Sequence, residues 1–168
     1  MFEVIKATSE TDLKEAVIAN SQTLSVGEVI LPQLTGDANV VVTGGGTVRQ
    51  LLGIVVAIQG NNKILGVNTH AAAADNETVD RVKVKYLPLS FEYELRARLT
   101  GDAGTTVDRT GGYAAFKVDS TGLLLDETAS KTWTDTAGTQ FISYGLLDPD
   151  NDNRTVTCRY APHYSSLV

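Results

Sequence analysis

The sequence is poor in cysteine and in positive charge, and each shortage removes a class of protein. Cys158 is its one cysteine among 168 residues, so no internal disulfide can form, which fits a reducing compartment. A chain of this length buries about two-thirds of its unfolded surface, so a single domain needs no covalent staple. Lys and Arg number 14 against 20 Asp and Glu, a net charge of −6. The densest basic spacing is Arg81, Lys83 and Lys85, alternate positions of one run. Phosphate contacts supply most nucleic-acid affinity, so no nucleic-acid partner is expected. Long apolar runs are absent too. None reaches the roughly 20 residues of a membrane span, and Leu51 to Ile58 is broken by Gly53. No membrane partner is therefore expected. The opening MFEVIKATSETDLKEAV lacks a basic stretch followed by an apolar one, so no secretory leader is expected.

Fifteen glycines, with many Thr and Val and few helix-forming runs, point to an all-β protein, an antiparallel β-barrel or β-sandwich. One short N-terminal helix is expected beside it. Ser9 precedes ETDLKEAVIAN, Asp12 stands three residues on as a capping-box partner, and Leu13, Ala16 and Val17 share a helical face. Residues 1–24 thus read as an arm with a short helix, and residues 25–168 as a β-rich domain.

FEYELRARL, Phe91 to Leu99, alternates strictly, with Phe91, Tyr93, Leu95, Ala97 and Leu99 on one face. VDRVKVKY upstream does the same, with Val82, Val84 and Tyr86 inward. A hairpin across Leu87 to Ser90 sets Tyr86 opposite Phe91, Lys85 opposite Glu92 and Lys83 opposite Glu94. Pro88 equally permits the strands to part into different sheets. Further strands follow in GYAAFKVDSTGLLLDE, SKTWTD, TQFISYGLL and RTVTCRYAP, with a turn at Asp119 to Gly122. LTGDA at Leu34 and at Leu99 recurs as turn chemistry rather than as a duplication.

No catalytic set can be assembled. Gly44, Gly45 and Gly46 in VVVTGGGTVRQLLGIVVAI follow a β-branched run, but no helix with Lys-Ser or Lys-Thr comes after them. They read as a mobile hairpin tip. Asp148, Asp150 and Asp152 have calcium-loop spacing, but Asn153 and Arg159 stand where the glycine and the bidentate glutamate belong, leaving a solvated turn. His70 and His163 have no ligand spacing and read as surface residues. Cys158 alternates with Val156 and Tyr160 and reads as core. Glu92 and Glu94 lie among Arg and Lys on a wet face. Asn76-Glu77-Thr78 and Asn153-Arg154-Thr155 match a glycosylation acceptor, which carries no weight without a leader. The expectation is a structural or binding component, not an enzyme, with no cofactor and no metal.

The order of strands and turns adds a resemblance. TLSVGEVILPQLTGDANVVVTGGGTVRQLLGIVV, then DNETVDRVKVKYLP, resembles the head decoration, or capsid cement, proteins of tailed bacteriophages. The later AGTTVDRTGGYAAFKVDSTGLLLDETASKTWTDTAGTQFISYGLLDPDNDNRTVTCRYAP is similar to the C-terminal β-domain of such proteins. The resemblance runs over most of Leu24 to Pro162 and rests on no catalytic signature. It implies a virion protein, made in the bacterial cytoplasm, that binds a major capsid protein on the outer shell and bridges capsomers, often as a homotrimer. Its contacts are then expected from Phe2, Val4, Ile5 and Leu13 in the arm and from Gly44, Gly45 and Gly46. Other readings are a tail-tube or head–tail connector subunit, or a carbohydrate-binding sandwich that stacks sugars on Trp133, Tyr113 or Tyr144.

Overall fold

The computed structural model describes residues 1–6, 13–33, 39–45, 51–61, 63–100, 114–131, 139–143 and 155–161. Within them the protein is all-β, and the alternative left open between barrel and sandwich is resolved in favour of a barrel with a second curled sheet packed on it.

The barrel uses β2 (Lys14–Ile18), β4 (Val29–Pro32), β5 (Val40–Thr43), β6 (Gly53–Gly60) and β9 (Lys83–Pro88). They run in the order β4-β5-β2-β9-β6, and β6 pairs back onto β4 to close the ring, with β7 (Lys63–Ile64) added outside β6. All these pairings are antiparallel except β2 with β5, where Val17 meets Val40 and Ile18 meets Val41 in parallel. The interior is filled by Ile18, Ile30, Val41, Ile58 and Val84, all almost wholly excluded from water. Burying each such side chain contributes roughly 1.5–3 kcal/mol. Gly53 lets β6 turn the corner between β4 and β9, since a Cβ there would stand 2.6 Å from the Leu87 carbonyl oxygen. A small ribbon, β3 (Thr23–Ser25) with β8 (Thr69–Ala71), flanks the barrel.

The second sheet has the order β1-β10-β14-β13-β11-β12, from Phe2–Lys6, Glu94–Arg98, Thr155–Tyr160, Phe141–Ser143, Ala114–Val118 and Leu125–Lys131. A parallel bridge between Leu99 and Leu125 draws its far strand back toward β10. Its core holds Leu95, Ala97, Phe116, Phe141, Val156 and Cys158, and Val29, Leu51 and Ile54 enter that core from the barrel wall. The second sheet thus packs on the barrel wall through a core distinct from the barrel's own interior. Cys158 is core, as its alternation with Val156 and Tyr160 requires, and burial pushes its thiol pKa up.

The expected helix is replaced by strand β2. Leu13, Ala16 and Val17 fit a helical face, but Ala16 to Ala19 are all buried, as an inner strand covered on both sides demands. Val17 and Ile18 are β-branched and favour that state. Ser9 and Asp12 lie outside the described residues. Nor do the first residues form a separate arm, since β1 is the edge of one sheet and β2 sits inside the other.

The expected hairpin is also corrected. β9 pairs with β2 and β6, while β10 pairs with β1 and β14, so the strands part at Pro88 into different sheets. Lys83 and Lys85 meet Glu15 at 3.5 and 3.7 Å instead of Glu94 and Glu92. Phe91, expected inward, is 49% exposed, with the Arg159 guanidinium 5.7 Å from its ring centre. The inward sets otherwise hold: Val84, Tyr86, Tyr93, Leu95, Ala97 and Leu99 are buried.

Gly44 and Gly45 do not tip a hairpin, because β4 lies between β5 and β6. Gly44 is buried, and a Cβ on it would stand 2.6 Å from Leu51 Cδ2 and 2.9 Å from the Val29 carbonyl oxygen. Gly46 is outside the described residues, as are Asp148, Asp150, Asp152, His163, Trp133, Tyr113, Tyr144 and Asn153. His70 lies half-buried on β8 opposite Leu24. Asn76 is fully buried. Its amide donates to the Ile18 and Val82 carbonyls at 2.7 and 3.1 Å and accepts the Val82 N–H at 2.8 Å. That closes the bend before β9 and removes Asn76 from any glycosylation chemistry in the folded state.

Candidate interaction surface

Strand β1 carries the first element of the site. Phe2 and Val4 face Ala97 and Leu95 across the ladder, and Phe2 stacks on Phe141 at 5.0 Å between ring centres. Among the described residues a strand pairs with β1 on one edge only, since β1 ends the sheet order. On the other edge, the Phe2 N–H donates to the Gly27 carbonyl at 2.9 Å. Backbone groups two residues apart in a strand point the same way, so the Val4 N–H and C=O also point away from β10.

An open groove of about 1030 Å³ runs between this edge and the barrel wall. Val4, Leu13, Val26, Val56 and Leu123 supply apolar walls. Leu13 is 50% exposed and Val56 37%, so both apolar side chains stay open to solvent in the single chain. Val56 owes its position to a bulge: Val55 pairs with Tyr86 and Ala57 with Lys85, leaving Val56 as the extra residue. The bulge keeps Val55 and Ile58 inside and turns Val56 out to the groove.

Arg96 and Arg98 on the outer face of β10 line the same groove. Glu3 stands opposite Arg96 on β1. Among the described residues, Lys83 and Lys85 pair with Glu15 and Arg159 pairs with Glu94, whereas Arg96 and Arg98 form no such pair. The groove is thus locally cationic on a chain whose net charge is −6.

Beneath one end of the groove the two units are locked by a turn. Asp119 Oδ1 accepts the Leu124 N–H at 3.1 Å and Gly122 takes φ +74°, shaping the expected turn between β11 and β12. The Gly122 carbonyl then accepts the Val29 N–H at 2.9 Å. Glu28 lies under this contact, 4% exposed. Its carboxylate accepts the Ser25 N–H at 2.8 Å and a hydrogen bond from Thr43, whose oxygen in turn accepts the Gly45 N–H at 3.0 Å. Burial pushes the Glu28 pKa up, and the charge of Asp119 adds to the rise.

Of the expected contact residues, Val4, Leu13 and the almost wholly buried Phe2 line the groove and Ile5 is 44% exposed, whereas Gly44 lies inside the fold and Gly45 packs on the Asp119–Gly122 turn. Arg96, Arg98 and Val56 were not anticipated. Their sequence signal was weak, since Arg96 and Arg98 belong to an ordinary wet strand face and Val56 sits among the apolar residues Ile54 to Ile58, which show no alternation. Among the described residues, no group of three or more His, Cys, Asp or Glu stands ready to hold a metal ion. Compared with known proteins, the chain matches no family model, and a search of the curated proteins finds no match.

Proposed function

We propose that this chain is a virion structural protein that binds the outside of a tailed-phage capsid and bridges capsomers. The observation that carries the reading is the apolar groove between β1 and the barrel, with Leu13 and Val56 exposed in the isolated chain. A binding surface of that kind on two β-units packed against each other suits a rigid clamp, since the clamp need not fold as it docks. The resemblance of the strand and turn order from Leu24 to Pro162 to capsid cement proteins supports the same reading. The partner is the major capsid protein, the assembly a homotrimer, and the site of action the outer shell of a virion assembled in the bacterial cytoplasm. The chemistry is binding, not turnover. Many copies on one shell each need only modest affinity, because every occupied site adds to shell stability.

The test is co-sedimentation. Purified protein mixed at micromolar concentration with mature, undecorated shells of its cognate phage pellets with them, and Val56→Glu reduces the pelleted fraction at least fivefold. Protein that stays wholly in the supernatant overturns the reading. Light scattering of the protein alone checks the trimer.

A further inference from the structure

The groove combines three features that select one kind of occupant. Its edge is the outer side of β1 beyond Phe2, whose N–H is already bonded to Gly27, where the Val4 N–H and C=O point outward by strand alternation. Its walls are apolar, from Val4, Leu13, Val26 and Val56. Its charged rim is Arg96, Arg98 and Glu3, a net positive set on an acidic protein.

We infer that the groove takes an extended peptide segment bearing carboxylates, added as a strand along the outer edge of β1. An open strand edge hydrogen-bonds any extended backbone, so the ladder supplies affinity without choosing a sequence. Choice comes from alternate side chains. One set packs on Leu13 and Val56, and the other reaches the outer face, where Arg98 and Arg96 favour an acid. Glu3 opposes an acid at its own position, and Phe2 at the Arg98 end is already bonded to Gly27, so the segment pairs from Val4 onward and the two guanidinium groups of β10 draw its carboxylates. A segment of basic character meets two guanidinium groups and is rejected. This inference rests on the groove being the docking surface proposed above, and it names the chemistry of the partner segment.

The probe is a fluorescein-labelled eight-residue peptide that alternates valine with aspartate, titrated by anisotropy against the full chain. A second peptide replaces aspartate with lysine, and a third carries N-methyl groups on alternate amides. The acidic peptide is expected to bind with a micromolar Kd, and the lysine and N-methylated peptides at least tenfold more weakly. The double variant Arg96→Glu, Arg98→Glu, on exposed positions, weakens the acidic peptide at least tenfold with an unchanged circular dichroism spectrum. Glu3→Gln tightens it two- to fivefold, an effect that loss of structure does not produce. No binding of the acidic peptide at 1 mM (about a thousandfold above the micromolar scale), equal binding of the lysine peptide, or indifference to the double variant overturns the inference. Self-association of the chain abolished by Val56→Glu also overturns it, because a second copy then fills the groove. Shell pelleting separates the two claims: wild-type and double variant pelleting alike refute the acidic-segment chemistry but leave the capsid reading standing. Acidic-peptide binding without pelleting does the reverse.

Discussion

The hydroxyl of Tyr160 holds both backbone groups of Leu51. It accepts the Leu51 N–H at 2.8 Å and donates to the Leu51 carbonyl at 3.3 Å. Tyr160 belongs to the second sheet, where it packs on Phe141 at 5.5 Å between ring centres, and Leu51 leads into the barrel strand β6. One phenol thus ties the two units where their apolar cores meet, and it satisfies a buried backbone pair that no ladder reaches.

Removing that oxygen leaves a buried N–H and C=O without their partner. Tyr160→Phe keeps the ring packing, so the loss isolates the hydrogen bonds. Expected destabilisation is roughly 1–3 kcal/mol, read as a lower urea midpoint with an unchanged m-value. An unchanged midpoint would show that water or a neighbour replaces the phenol.

Gly45 is required by space and Gly66 by backbone angle, and the two make a matched pair. A Cβ on Gly45 would stand 2.6 Å from the Ser120 carbonyl carbon and 2.7 Å from the Gly122 nitrogen, both rigid backbone. Gly45→Ala therefore forces the Asp119–Gly122 turn off the barrel, at a cost of about 1–3 kcal/mol or more. Gly66 has φ +67° and open space around it, so Gly66→Ala costs only the left-handed backbone, roughly 1–2 kcal/mol. Thermal melts of both variants check the order. Gly45→Ala is also expected to raise amide exchange at Val29, whose partner is in that turn, while Gly66→Ala does not.

Glu28 makes stability depend on pH in a stated direction. Burial raises its pKa in the folded state, so the folded chain holds this proton more tightly than the unfolded chain. Its favourable contribution is full below the unfolded value, about 4.3, and is lost as pH rises through the raised folded value. Glu28→Gln keeps the size of the side chain and an acceptor for the Ser25 N–H but cannot ionise. The stability of Glu28→Gln relative to wild type is therefore expected to rise with pH across that window and then level off. Urea midpoints of both proteins from pH 4 to pH 7 check it, and a parallel pair of curves refutes it.

Cys158 is 1% exposed and its thiol pKa is pushed up by burial. A thiol that is both covered and protonated does not attack disulfide reagents. Native protein is expected to show no reaction with an aromatic disulfide at pH 8, and denatured protein one thiol per chain. Fast reaction in the native state would mean that β14 opens readily from β10 and β13.

Some of this was legible in the sequence, and the reason lies in strand periodicity. A strand with one wet face writes a period of two, and β9, β10 and β14 display it, so Val84, Tyr86, Leu95, Ala97, Val156 and Cys158 could be assigned to the core. The turn at Asp119 to Gly122 was equally local, since Asp119 and Gly122 supply its capping and its positive φ within four residues. Strand β2 was not legible, because Ala16 to Ala19 are buried on both faces and such a run has no period to distinguish strand from helix.

The sequence by itself determined an all-β protein with its wet and dry strand faces, because alternation and turn chemistry are set by neighbours along the chain. Only the tertiary structure decided that β6 returns to β4, that β9 and β10 part company, and that β1 edges a groove walled by Leu13 and Val56. Those choices depend on which surfaces meet across long stretches of chain and on one extra residue in a ladder, and neither leaves a local mark.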